Sequence, residues 1–263
     1  MTKEPTAETA ASGTVARVTA LLRVLAQIEG EASLSEIAER MKLPVSTTHR
    51  LLHLLLEQGF VDRGQGSRSY RAGLEFLRVG GLLASHPDLG SVAQSFMQAV
   101  VEACDETCML SLYVPRTQTA MIVKVIYGSH PLRYEAALYE PTSLAWGATG
   151  QGILAFLPEP VVEAVLAREG PSPADARKSL KPAALKRDLA RIRQQGYAHT
   201  RGQKITGAVG ISAPVFNATA VQAALCITLP DSRFREGMEA RLAGVLVQQA
   251  ARLSATLGWR GAS

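Results

Sequence analysis

The apolar positions of the N-terminal third recur with the 3.6-residue period of helices and then change to the short runs of strands. After a polar stretch over 1–13, read as a disordered tail, Val18, Leu21, Leu22 and Leu25 mark one helix face, and Gly30 stands where a left-handed residue closes a helix. Ser33 and Glu36 have capping-box spacing, with Ser35 as an alternative cap. With Ile37, Ala38 and Met41 on one face, they predict a short second helix ending near Lys42. A third helix is predicted to begin at Pro44 and Ser46, to bury Thr48, Leu51, Leu52 and Leu55, and to end at Gly59. Its other face carries Ser46, Thr47, His49, Arg50 and His53. "FVDR" and "SYRA" then read as two strands flanking the turn "GQGSR". Helix, helix, turn, helix and hairpin make a winged helix-turn-helix over 14–72.

"GLEFLRVGGLLASHPDLG" predicts a linker helix at about 73–85, broken by Gly80 and Gly81 and stopped by His86-Pro87. The linker region is taken as 73–87 and a second domain as 88–263. In that domain "SVAQSFMQAVVEAC" reads as a helix, and "TCMLSLYV" with "TAMIVKVIY" as a strand pair. "GATGQGILAFLP" is a glycine-rich turn entering a helix that Pro158 ends. "EPVVEAVLARE" and "PAALKRDLARIRQQG" add helices, while "GISAPVF" and "VQAALCITL" add strands around "NATA". A last helix, Glu236 to Leu257, carries Met238, Leu242, Val245, Leu246 and Leu253 on a face. Helices that flank strands without strictly alternating with them imply an α+β sheet domain.

Charge sharpens the first domain. The net charge is only +5, but residues 40–71 hold Arg40, Lys42, Arg50, Arg63, Arg68 and Arg71 against Glu57 and Asp62. A locally basic surface suits a polyanion. A helix start that stays short and polar, on a helix whose other face packs, is what enters a major groove roughly 12 Å wide and reaches base edges. Three cysteines, Cys104, Cys108 and Cys226, are too few for a disulfide framework and suit a reducing compartment. No signal sequence or membrane-spanning apolar run is visible, so the chain is read as soluble and cytoplasmic, with no membrane partner.

The order of elements, "LSEIAERMKLPVSTTHRLLHLLLEQGFV", the wing "SRSYRAG", "GATGQGILAFLP" and the pair "GAVGISAPVF" with "AALCITLP" together resemble the isocitrate-lyase-regulator (IclR) family of bacterial transcription factors. The resemblance runs from about Val15 to Gly258. It implies a winged-helix DNA-binding domain, a linker helix that helps dimerise it, and a C-terminal GAF-like effector-binding domain. Members act as homodimers or homotetramers on palindromic double-stranded operators and repress or activate catabolic genes, often in response to small organic acids or aromatic compounds. It places Arg17 near the start of the first helix, Ser46, Thr47, His49 and Arg50 at the start of the recognition helix, and Arg63, Gln65, Ser67 and Arg68 on the wing. It sets Ala148, Thr149 and Gly150 on a small-residue loop at a helix N-terminus. Thr200 falls where members often carry an acidic pocket residue, Gly210 where some have cysteine, and Cys226 where serine is frequent. "HTRGQK" therefore makes a basic rim, and Arg201, Lys204 or Arg133 are expected to meet a carboxylate effector. Tyr134 and Tyr139 are expected near the pocket mouth, and Trp146 either as an aromatic wall or in ordinary core packing.

Other chemistries fit less of the chain. His49 and His53 share the i, i+4 spacing of a metal pair but have no third ligand in view. "CDETC" lacks the paired CxxC of a redox or zinc site. "GATGQG" lacks the Gly-Lys-Ser/Thr of a nucleotide loop, although its backbone N–H groups suit an effector carboxylate. No cofactor or metal is expected, and no catalytic constellation can be assembled. Two further readings stay open: a dimeric DNA-binding protein that senses nothing, and a cysteine enzyme built on Cys226.

Overall fold

The computed structural model describes residues 13–64, 69–84 and 88–261, and the chain divides into two compact units between residues 87 and 88. In the first, α1 (Thr14–Ala26), α2 (Leu34–Met41) and α3 (Val45–Glu57) enclose Leu21, Leu25, Ile37, Leu51, Leu52 and Leu55. A small antiparallel sheet in the order β1-β3-β2 closes this core with Val61 and Tyr70. Its strands are β1 (Ala32–Ser33), β2 (Val61–Arg63) and β3 (Ser69–Ala72). The β1 segment carries no apolar alternation, and pattern reading misses it.

Ser33, not Ser35, caps α2. Its hydroxyl accepts from the Glu36 N–H at 3.3 Å, while the Glu36 carboxylate accepts from the Ser33 N–H at 2.7 Å. Such a cap contributes about 1 kcal/mol. Ser33→Ala is therefore expected to lower the urea unfolding free energy of the first unit by about that amount, leaving the melting of the second unit in place. Gly80 and Gly81 do not break the linker segment: α4 (Leu74–Ala84) runs through both, because neither faces a neighbour that would demand a bend.

The second unit is a six-stranded antiparallel sheet in the order β6-β5-β4-β9-β8-β7. The strands are β4 (Thr107–Val114), β5 (Thr119–Ile126), β6 (Pro141–Thr142), β7 (Ala198–Arg201), β8 (Ala208–Phe216) and β9 (Val221–Pro230). Every second residue of β8 and β9, from Val209 to Val215 and from Ala223 to Leu229, packs with α5 (Leu89–Cys104) and α9 (Met238–Thr256). The last helix begins two residues later than its pattern suggests, because Gly237 sits at φ +80° as its N-cap. The other sheet face meets α6 (Ala148–Leu154), α7 (Glu159–Arg168) and α8 (Pro182–Gln195). Burial on both faces explains why β4 and β9 read as continuous apolar runs.

Candidate nucleic-acid interface and ligand cavity

The start of α3 is exposed for a local reason. Thr48 is fully buried, and both its N–H and its hydroxyl bond the Pro44 carbonyl, at 3.0 and 3.2 Å. This pins the first turn and leaves Ser46, His49 and Arg50 facing solvent, with Thr47 half-buried beside them. Pro44 supplies no side-chain cap, and no acidic residue occupies the first turn. The free N–H groups and positive dipole end of α3 are thus available to an anion such as a phosphate.

The neighbouring basic residues divide. Arg17 is half-buried on α1. Arg63 lies over the Tyr70 ring, 5.1 Å from its centroid, with one N–H donating to the Tyr70 hydroxyl at 3.3 Å. That contact holds the exposed guanidinium at the hairpin's edge. Gln65, Ser67 and Arg68, assigned to the wing, lie outside the described residues. His53 turns to Glu57, 3.3 Å away, and among the described residues no group of three His, Cys, Asp or Glu can hold a metal.

The second unit contains a cavity of about 420 Å³ on the α6 side of the sheet. That volume falls in the range of small-molecule sites. Its floor is the sheet face at Met109, Ile122, Gly210, Cys226 and Thr228, one wall is Gly147, Ala148 and Thr149, and the rest comes from the segments around Tyr134–Ala137 and Thr200–Ile205. Two features bring α6 so close to β8. The Ser212 hydroxyl donates to the Ala148 carbonyl at 2.6 Å, and Gly210 has no side chain: a Cβ there would stand 3.1 Å from that of Ala148. A larger residue at 210 would push the helix away and reshape the floor.

Gln203 ties the same helix start to the following loop. Its side-chain oxygen accepts from the Gly147 N–H at 3.2 Å and from the Gln151 amide at 2.8 Å, and its carbonyl accepts from the Ser172 hydroxyl at 2.6 Å. Gly147 adopts φ +82° to start the helix, and a Cβ on it would come within 3.2 Å of the Lys204 side chain. Lys204 is laid against the helix N-terminus, inside the cavity. It is the one cation lining this cavity, no carboxylate pairs with it among the described residues, and burial lowers the pKa of its ammonium.

The predicted effector residues are only partly assembled. Tyr134, Ala148, Thr149, Thr200, Gly210 and Cys226 line the cavity. Arg133, Trp146, Gly150 and Arg201 do not, and each has a physical reason. Arg133 stacks on Tyr127, 4.6 Å from the ring centroid. Arg201 sits on an exposed strand position and pairs with Asp231 at 2.5 Å. Trp146 is a core residue whose indole N–H donates to the Gly170 carbonyl at 3.1 Å. Gly150 packs so closely on Ser143 that a Cβ would lie 2.4 Å from its carbonyl oxygen. Tyr139 is exposed and absent from the lining. The expected basic rim therefore reduces to Lys204. Gln203, Met109 and Ile122 also line the cavity; no local signal marks Gln203, whereas the strand alternation of "TCMLSLYV" and "TAMIVKVIY" sets Met109 and Ile122 off the core face. The Cys226 thiol is pushed up by burial, as are those of Cys104 and Cys108. None has the depressed pKa of a nucleophile.

Comparisons with known proteins cover both units. Residues 14–64 match the family model described as the IclR helix-turn-helix domain, and residues 82–255 match that of the bacterial transcriptional regulator IclR C-terminal domain. A helix-turn-helix-type transcriptional regulator of Mycobacterium tuberculosis is 31% identical over 243 residues, 92% of this chain and 91% of that protein. The transcriptional repressor IclR of Escherichia coli is 26% identical over 261 residues, covering 97% and 95% of the two chains. The crystal structure of the Thermotoga maritima IclR superposes with a TM-score of 0.73 at 25% identity, over 94% of this chain and 99% of that one.

Proposed function

The chain belongs to the IclR family of bacterial transcriptional regulators, and from that premise we propose how its two units divide the work. The first, over 14–72, binds operator DNA through the start of α3, with Arg17 and Arg63 on flanking phosphates and Gln65, Ser67 and Arg68 as further contacts that the family resemblance implies. The second, over 88–263, holds a small carboxylic effector, aromatic or aliphatic, in the cavity beside α6. The single observation that carries the effector reading is Lys204: an ammonium half-buried in a largely apolar cavity, its charged form penalised by desolvation and without a protein counter-ion among the described residues. A carboxylate restores what burial removes. Titration calorimetry of the purified protein with a panel of aromatic and aliphatic monocarboxylates tests this; saturable binding of at least one acid is expected, and none across the panel would refute it.

The linker region, 73–87, supports a homodimer or homotetramer. Leu74 and Leu77, one turn apart on α4, are 74% and 73% exposed, an apolar face that a second copy would cover. A dimer sets two recognition helices about 34 Å apart, one turn of DNA, and effector binding shifts the population between spacings that fit the operator and those that do not. Leu77→Asp puts a charge into that contact and is expected to shift sedimentation from the oligomer to the monomer. Unchanged sedimentation would exclude α4 from the interface. Among the described residues no helix is long and apolar enough to cross a membrane, which is consistent with work in the cytoplasm on DNA.

A further inference from the structure

The charges lining the cavity are unequally distributed. Lys204 is the inner cation, while the two carboxylates of the wall, Glu135 and Glu140, are both exposed, at the solvent side of the cavity. Neither forms an ion pair with Lys204 or with any other residue among those described. Arg133 stacks on Tyr127 and Arg201 pairs with Asp231, and neither guanidinium forms an ion pair with Glu135 or Glu140 among the described residues. The interior between the poles is lined by apolar groups such as Met109, Ile122, Ala136 and Val209. Tyr134 fastens the rim segment across the opening, its hydroxyl donating to the Thr206 carbonyl at 3.3 Å. The two carboxylates, exposed yet part of the lining, lie on the solvent side of the cavity, where the outer end of a ligand would emerge.

We propose that this cavity selects monocarboxylates over dicarboxylates, with Glu135 and Glu140 as the residues that reject a second negative charge. This deepens the carboxylate reading of Lys204 and rests on it. A monoacid sets its one charge against Lys204 and its neutral body against apolar wall. A diacid of the same length has one cation for two charges. Its outer carboxylate either stays in the apolar interior without a partner or emerges between two like charges, and both are unfavourable. Solvent at the mouth screens the repulsion, so the discrimination amounts to about tenfold to a hundredfold in affinity.

The test uses the full chain and two length-matched pairs, 4-ethylbenzoate with terephthalate and heptanoate with adipate, titrated calorimetrically at fixed salt. The expected result is that in at least one pair the monoacid binds about tenfold or more tightly than its diacid. In Glu135→Gln with Glu140→Gln, two exposed substitutions that preserve shape, the gap narrows to about threefold, and raising salt narrows it in the wild type. A diacid that binds as tightly as its monoacid, or a gap that the double variant leaves unchanged, overturns the proposal. Failure of all four acids to bind instead removes the Lys204 reading on which it stands.

Discussion

A chain carrying Ser46→Ala, His49→Ala and Arg50→Ala together is expected to bind its operator about a thousandfold more weakly than the wild type, with unchanged thermal unfolding. Each good side-chain contact to a base edge is worth about 1–3 kcal/mol of discrimination, so three lost at about 1.4 kcal/mol each, in the lower half of that range, sum to about 4 kcal/mol, and 1.4 kcal/mol is tenfold. Stability holds because all three residues are solvent-exposed and the core face of α3, with Thr48, Leu51, Leu52 and Leu55, is untouched. Alanine also has the best helix propensity. Arg50→Ala alone separates two roles: loss of a phosphate contact lowers the salt slope of log K by about one per site and weakens all sequences alike, whereas loss of a base contact relaxes sequence choice at one position. Fluorescence anisotropy with operator and scrambled DNA over a salt series reads both. A triple variant that binds the operator like the wild type would remove α3 from the interface.

Lys204→Met is expected to weaken monocarboxylate binding about a hundredfold without lowering stability. Removing one partner of a desolvated, hydrogen-bonded charge pair costs roughly 2–5 kcal/mol. In the free protein, however, that ammonium is itself unfavourable, so an apolar side chain of similar length packs in its place at no loss. The pH dependence follows from the direction of the shift. Burial lowers the Lys204 pKa below the ordinary 10.5. Between the folded and unfolded values the unfolded chain binds more protons, so stability rises with pH across that window, and the destabilisation is fully present below it. The difference in urea midpoint between variant and wild type should therefore favour the variant at neutral pH and shrink as pH climbs toward 10.5. Effector affinity moves the other way, falling as the ammonium loses its proton. A variant less stable than the wild type at neutral pH, or one that binds monoacids normally, would contradict the assignment.

The sequence disclosed the DNA-facing half more fully than the effector half because local rules determine it. A capping box, a proline at a helix start and a 3.6-residue stripe act within a few residues of one another, and α2 and α3 lie where these signals put them. The long strands β4, β5, β8 and β9 were legible as apolar runs for the same reason. β6 and β7 were not: Pro141–Thr142 is two residues at an edge, and "AHTR" alternates weakly, with its hydrogen bonds made to β8. The cavity wall is set by contacts between distant segments. Counting basic residues in "HTRGQK" identified a positive rim, yet which one faces inward depends on long-range partners: Asp231 draws Arg201 outward, and Gln203, tied to Gly147 and Gln151, turns the loop so that Lys204 lies against α6. By sequence Trp146 suited a pocket wall and a core position alike, and the Gly170 carbonyl that accepts its indole N–H fixes it in the core.

The central claim is that occupancy of the Lys204 cavity changes how the recognition helices meet DNA. The most direct measurement is operator affinity of the wild type and of Lys204→Met, each with and without a saturating monocarboxylate that calorimetry has shown to bind. The account predicts that the acid shifts wild-type affinity at least severalfold in one direction and leaves Lys204→Met unmoved at the same concentration. An acid that saturates the cavity yet leaves operator affinity of the wild type unchanged would contradict it and leave a DNA-binding protein whose cavity plays no part in regulation.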